Sequence, residues 1–104
     1  MPTYVLMTKL EPGTLRDPRG RRTVSKDWKR RIAKLCPEIR WIAHYSLLGP
    51  YDFMDIYEAP DQQTAFSVSL MSREEGALSA ESWPAMSYED YLQVADQVAA
   101  VRDD

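Results

Sequence analysis

The chain has one cysteine, one histidine and no long apolar run, and each scarcity removes a class of function. A lone cysteine, Cys36, excludes an intrachain disulfide and any site built on several thiolates. It sits one residue before a helix-ending proline with no base nearby, so it reads as an inert, partly buried thiol. Beside the single histidine, His44, only carboxylates remain as good metal ligands, which argues against a mononuclear metal site. Apolar stretches such as Ile42-Ala43 and Leu47-Leu48 are far too short to cross a bilayer, so no membrane association is expected. Met1-Pro2-Thr3-Tyr4 lacks the charged-then-apolar layout of a signal peptide, and a cytoplasmic protein is the expectation. No phosphate-binding loop, nucleotide fingerprint or pair of catalytic acids is visible, and no cofactor is expected.

What remains is an ordinary globular profile, 44% hydrophobic and 28% charged over 104 residues, which fits one domain spanning 1–104. At this size much of the chain stays at the surface, so burial by self-association matters. The net charge of −3 is unevenly spread. Between Lys9 and Arg40 eleven Lys/Arg face four Asp/Glu, a local +7, so the rest of the chain carries −10. Such asymmetry can mark an anion or nucleic-acid site. No aromatic residue interleaves Arg16, Arg19, Arg21 and Arg22 as a base-stacking platform would require, so a solvated basic face is the favoured reading and nucleic acid the third choice.

Thr3–Leu10 is rich in β-branched and aromatic residues and predicts a first strand, stopped by Glu11-Pro12-Gly13. The stretch from Thr14 to Thr23, with Pro18, Gly20 and several charges, predicts a loop. Ser25 is the expected N-cap of a helix carrying Trp28, Ile32 and Leu35 on one face and ending at Pro37. Ile39–Leu48 and Tyr51–Ala59 are the clearest strands, joined by Gly49-Pro50, whose glycine suits the positive φ of a type II′ turn. Pro60-Asp61 opens a second helix with Ala65 and Val68 inside, closed at Glu74-Glu75-Gly76. A last strand is expected over Ala77–Trp83, broken by Pro84-Ala85-Met86. Ser87 then caps a C-terminal helix with Tyr91, Val94, Ala95 and Val98 on its apolar side, and Val101–Asp104 should fray. The order is strand, helix, strand, strand, helix, strand, plus a helix: an α+β chain.

For a two-residue hairpin, paired positions sum to 99. One face then carries Ser46/Phe53, His44/Asp55 and Ile42/Tyr57, the other Tyr45/Met54, Ala43/Ile56 and Trp41/Glu58. A sheet with one wet face shows apolar-in, polar-out alternation, and neither face here is polar. Helices on one side cover only one face, so a second copy of the chain is expected on the other.

Leu48-Gly49-Pro50-Tyr51-Asp52, followed by Asp55-Ile56-Tyr57-Glu58-Ala59-Pro60-Asp61, resembles the central motif of the GYD-domain family. The likeness extends to Leu10–Gly13, Phe66–Leu70 and Ala85-Met86-Ser87-Tyr88-Glu89, and departs from the pattern in the arginine-rich Thr14–Thr23 segment. The resemblance implies a ferredoxin-like βαββαβ fold of the dimeric α/β-barrel type, with two sheets packed face to face, and no established activity. A similar hairpin occurs in the effector-binding domain of leucine-responsive transcription regulators. That likeness implies an apolar or amino-acid-like ligand, without DNA binding, since no helix-turn-helix is present.

Gly49 and Asp52 have structural readings, the first as a turn glycine and the second as a carboxylate accepting exposed backbone N–H groups. His44 opposite Asp55 is the one pairing that resembles chemistry, because a carboxylate on one imidazole nitrogen fixes the tautomer and raises basicity. Tyr45, Tyr51, Phe53 and Asp52 are the candidate ligand contacts, and Trp28 belongs to the core. The leading expectation is a homodimeric, or higher-order, ligand-binding or regulatory domain with a pocket at the sheet face. The rival is a small dimeric α/β-barrel enzyme, of cofactor-free monooxygenase or isomerase type, using His44 and Asp55 as acid and base.

Overall fold

Alternation of Tyr4, Leu6 and Thr8 with Val5 and Met7 makes Thr3–Leu10 the first strand, β1, which becomes one of the two inner strands of the sheet. The computed structural model describes residues 1–102, with Leu15 described by its backbone alone. The predicted fraying of the last residues therefore falls partly outside the described residues, at Asp103 and Asp104. After a short 3₁₀ turn at Pro12–Arg16 come α1 (Arg21–Leu35), β2 (Arg40–Ser46), β3 (Phe53–Glu58), α2 (Gln62–Glu74), β4 (Ala77–Ala85) and α3 (Tyr88–Ala100). The four strands lie in the order β2-β3-β1-β4 with every neighbouring pair antiparallel. This is the ferredoxin-like βαββαβ arrangement followed by one further helix.

Local chemistry explains three boundaries that differ from expectation. α1 begins at Arg21, so Ser25 lies inside the helix and Arg21–Thr23 is helical rather than loop. Gly20, at φ 81°, takes the N-cap position, and its left-handed backbone sets the start without any side-chain cap. β4 runs through Pro84 to Ala85 instead of stopping at Trp83. It is an edge strand paired only with β1, so the missing N–H of Pro84 breaks no outer ladder. The loop joining β2 to β3 is wider than two residues, and Gly49 has no positive φ, so the type II′ turn is absent. Leu47 N–H donates to Asp52 O at 2.8 Å, and that closure keeps positions 43–46 in the expected register with 53–56.

Further along the hairpin the register slips by one residue at Ile42. Trp41 consequently sits opposite Tyr57 and Arg40 opposite Glu58, where a continuous ladder would have put Ile42 and Trp41. A bulge moves every later side chain to the other face. Ile42 is left 53% exposed, and Trp41 joins the core through rings 5.1 Å from Trp28 and 5.4 Å from Tyr57.

The core fills the space between the sheet and α1 and α2. Tyr4, Leu6, Tyr57, Ala59, Ile32, Ala65 and Val68 are its buried members. Fully burying each of the larger ones is worth roughly 1.5–3 kcal/mol. Polar atoms there are paired: the Tyr57 hydroxyl meets Ser82 Oγ at 2.7 Å, which meets Ser69 Oγ at 2.8 Å. Burial pushes the Tyr57 phenol up to about 12. Arg31 ties α1 to α2 by donating to Glu75 at 2.8 Å and Glu74 at 3.2 Å.

The opposite face of the sheet, with Val5, Met7, Met54, Ile56, Tyr45 and Trp83, has no helix on it. α3 begins with Ser87 Oγ accepting the Asp90 N–H at 3.1 Å and carries the expected apolar stripe. None of its residues is buried. It extends from the body without substantial packing on sheet or helices, and the chain measures 62 × 31 × 19 Å.

Candidate functional site

Of the five α1 residues that line the cavity, Arg21, Val24, Ser25 and Trp28 follow an i, i+3, i+4, i+7 spacing and so share one helical face, with Arg22 beside them. That face stands over the end of the sheet where Thr8 and Leu10 of β1, His44 of β2, and Phe53 and Asp55 of β3 point the same way. Ser72 and Glu75 at the end of α2, with Ala77, close the third side. The space enclosed is about 240 Å³. Pockets for drug-sized ligands run from about 300 to 1,000 Å³, so this one fits a smaller molecule.

His44 and Asp55 form the polar feature of the sheet wall. Their atoms Nδ1 and Oδ1 are 2.5 Å apart, with Asp55 buried and the His44 side chain 45% exposed. Burial raises the Asp55 carboxyl above its ordinary value, against the hydrogen bond and charge of His44 and the charge of Lys29. A carboxylate on Nδ1 orients the ring and leaves Nε2 for a ligand. Phe53 stacks on the imidazole at 5.4 Å, and the Arg21 guanidinium lies 5.5 Å over the same phenyl ring. On the helix wall, Trp28 Nε1–H donates to Ser72 Oγ at 2.9 Å, and Ser72 donates in turn to Val68 O at 2.8 Å. Among the described residues no group of three His, Cys, Asp or Glu side chains could hold a metal ion.

Of the six candidate site residues read from the sequence, the cavity brings together three, His44, Asp55 and Phe53. Tyr45 pairs with Met54 on the open face, pointing away from it. Tyr51 donates to Glu81 at 3.1 Å and meets the Trp83 ring edge-on at 6.2 Å. Asp52 accepts the Leu10 N–H at 2.7 Å, a structural contact of the kind its position suggested. Ser25, Ser72 and Glu75 went unrecognised as site residues, and Arg21 was weighed only for nucleic acid. The signal for Arg21 and Ser25 lay in Gly20: a helix started there puts Arg21 in phase with Ser25 and Trp28.

The arginines of the basic segment do not act as one surface. Arg19 is paired with Asp17 at 3.0 Å and Asp27 at 3.3 Å, while Arg21 turns into the cavity wall.

The family described as GYD domain matches residues 4–95. The chain belongs to the GYD-domain family. All the cavity residues fall within that match. A relative from Thermus thermophilus, named "Glutamine synthetase and cystathionine beta-lyase binding protein", is 26% identical over 106 residues, covering 98% of this chain and 100% of its own length. No solved structure gives a significant match. No helix among the described residues is long and apolar enough to cross a membrane.

Proposed function

We propose that this GYD-domain protein is a homodimeric regulatory binding domain that holds a small ligand in the cavity at His44 and Asp55. The cavity carries the proposal: a preformed hollow with apolar walls at Val24, Trp28 and Phe53 and a few converging polar groups is the usual form of a small-molecule site. The Thermus relative is named for binding other proteins, and its name supports a role exercised through partners. Self-association is supported by two surfaces without internal cover, the open sheet face and the apolar side of α3. The test is a thermal-shift screen of amino acids and small organic acids on the full chain, repeated on a Ser25→Leu variant whose side chain fills the cavity. Ligands should raise the midpoint of the native protein and leave the variant unmoved. Equal shifts in both proteins would place binding elsewhere and refute the reading.

A second reading rests on the His44–Asp55 contact itself. A histidine oriented by a buried carboxylate and reachable from a cavity is the arrangement of a general base, suited to proton abstraction from a bound carbon acid. Turnover that falls about 10²–10⁴-fold on His44→Ala, with folding intact, would favour this enzyme reading over the binding module.

A further inference from the structure

We infer that the ligand of this cavity is a small organic acid whose carboxylate is taken by Arg21; the inference rests on the cavity reading above and deepens it. Three observations carry it. The first is an orphaned donor: Arg21 Nη1 is buried and has no hydrogen-bond partner. Buried polar groups in folded proteins are almost always satisfied, and charged ones most of all, so an unpartnered guanidinium nitrogen calls for an acceptor. The second is that the cavity's own carboxylates are already engaged. Asp55 has His44 Nδ1 at 2.5 Å and Glu75 has Arg31 Nη1 at 2.8 Å. Among the described residues neither Arg21 nor its neighbour Arg22, which also lines the cavity, forms an ion pair. The third is shape. Arg21 lies over Phe53, and Val24 and Trp28 complete an apolar wall beside it.

Together these features describe a small chamber with a cationic fork at one side and an apolar body-site beside it. The planar guanidinium suits a carboxylate, which it can meet with two parallel N–H bonds, better than it suits a neutral amide. The apolar wall distinguishes an organic acid from inorganic phosphate, which would leave Phe53 and Trp28 without a contact. The volume of about 240 Å³ restricts the acid to one of small size. His44 Nε2, on the same wall, is available for a second polar group of the ligand.

The experiment titrates the full chain by calorimetry with three probes: benzoate, benzamide of the same shape without the charge, and phosphate with charge but no apolar body. Benzoate should bind roughly tenfold or more tightly than either of the others. Arg21→Gln should lose that preference while circular dichroism stays unchanged, and Arg21→Lys should recover part of it, since charge returns without the fork. Because the native guanidinium nitrogen is unpartnered, ligand-free Arg21→Gln should melt at the native midpoint or above it. Benzamide binding as tightly as benzoate, or an Arg21→Gln variant with native benzoate affinity, overturns the carboxylate inference and leaves the cavity reading standing. Phosphate binding as tightly as benzoate overturns the organic-acid class. Failure of all three probes, with no response in the ligand screen either, removes the cavity reading along with it.

Discussion

Asp52 and Leu10, 42 positions apart in the chain, are joined by a 2.7 Å hydrogen bond from the Leu10 N–H to Asp52 Oδ2. Around it, Asp52 N–H donates to Thr8 O at 2.8 Å and Lys9 Nζ to Pro50 O at 3.1 Å. The Gly49-Pro50-Tyr51-Asp52 segment is therefore a clamp that holds the β2–β3 loop on the end of β1, whose Thr8 and Leu10 line the cavity. Its glycine needs no special backbone, and its aspartate holds the contact. Removing the carboxylate in Asp52→Ala leaves the Leu10 N–H without its acceptor. Hydrogen bonds to charged groups contribute about 1.5–3 kcal/mol, so urea unfolding should show a loss in that range. Asp52→Asn, which keeps one acceptor oxygen, should lose less.

Gly76 and Gly49 respond differently to a methyl group. Gly76 has φ 108°, and a Cβ there would meet Thr14 Oγ1 at 2.6 Å and Thr14 Cγ2 at 2.8 Å. Thr14 is fixed by its own hydrogen bond to Gly76 O at 2.7 Å, so it cannot easily move aside. Gly76→Ala should destabilise by about 1–3 kcal/mol. Gly49 has open space at the Cβ position and an ordinary φ, so Gly49→Ala should stay within about 0.5 kcal/mol of the native value. Denaturant midpoints of the pair check both halves at once; a costly Gly49→Ala would restore the tight-turn role that the motif suggests.

The sequence and the structure agree where side-chain period alone decides. Alternation defines β1 and the β2–β3 hairpin near its loop, and a register summing to 99 places His44 against Asp55. Disagreement comes where a single backbone device overrides the pattern. The bulge at Ile42 exchanges Ile42 for Trp41 in the core, and no residue type announces it. Gly20 starts α1 early through its backbone, which brings Arg21 into the cavity and hides it from a reading that looked for a Ser or Asp cap. Tyr45 and Tyr51 illustrate a further limit: aromatic content marks a lining, while the face of the sheet decides which lining.

Asp55 should make the folded protein less stable as pH rises, the reverse of a salt-bridged carboxylate. Burial raises its pKa in the fold above the ordinary 3.8, outweighing the opposing effect of His44. The folded state therefore binds this proton more tightly than the unfolded chain does. That stability is fully present below 3.8 and is lost as pH climbs through the folded value. Comparison of native protein with Asp55→Asn between mildly acid and neutral pH isolates the effect. The stability of the native protein relative to the variant should fall with rising pH. A relative stability that rises instead would mean that His44 holds the carboxylate charged in the fold.

A single chain leaves two apolar surfaces bare. Ile56 sits between Val5 and Ala43 on the open side of the sheet, where Trp83 is 43% and Tyr45 57% exposed. On α3, Tyr91, Val94 and Val98 form a stripe with spacing i, i+3 and i+7, and all three are exposed. Exposed apolar surface of this extent on a small domain is expected to be covered by another molecule, and a second copy would offer the same two surfaces in return. Sedimentation of the full chain at micromolar concentration should give a dimer or larger species. Ile56→Arg places a charge in the centre of the sheet face, and Val94→Glu does the same on α3; neither side chain belongs to the buried core between sheet and helices. Each variant should shift the protein toward monomer with its circular dichroism unchanged. If only Val94→Glu does so, α3 alone makes the contact and the face-to-face barrel is wrong. A native protein that sediments as a monomer throughout would refute self-association on either surface.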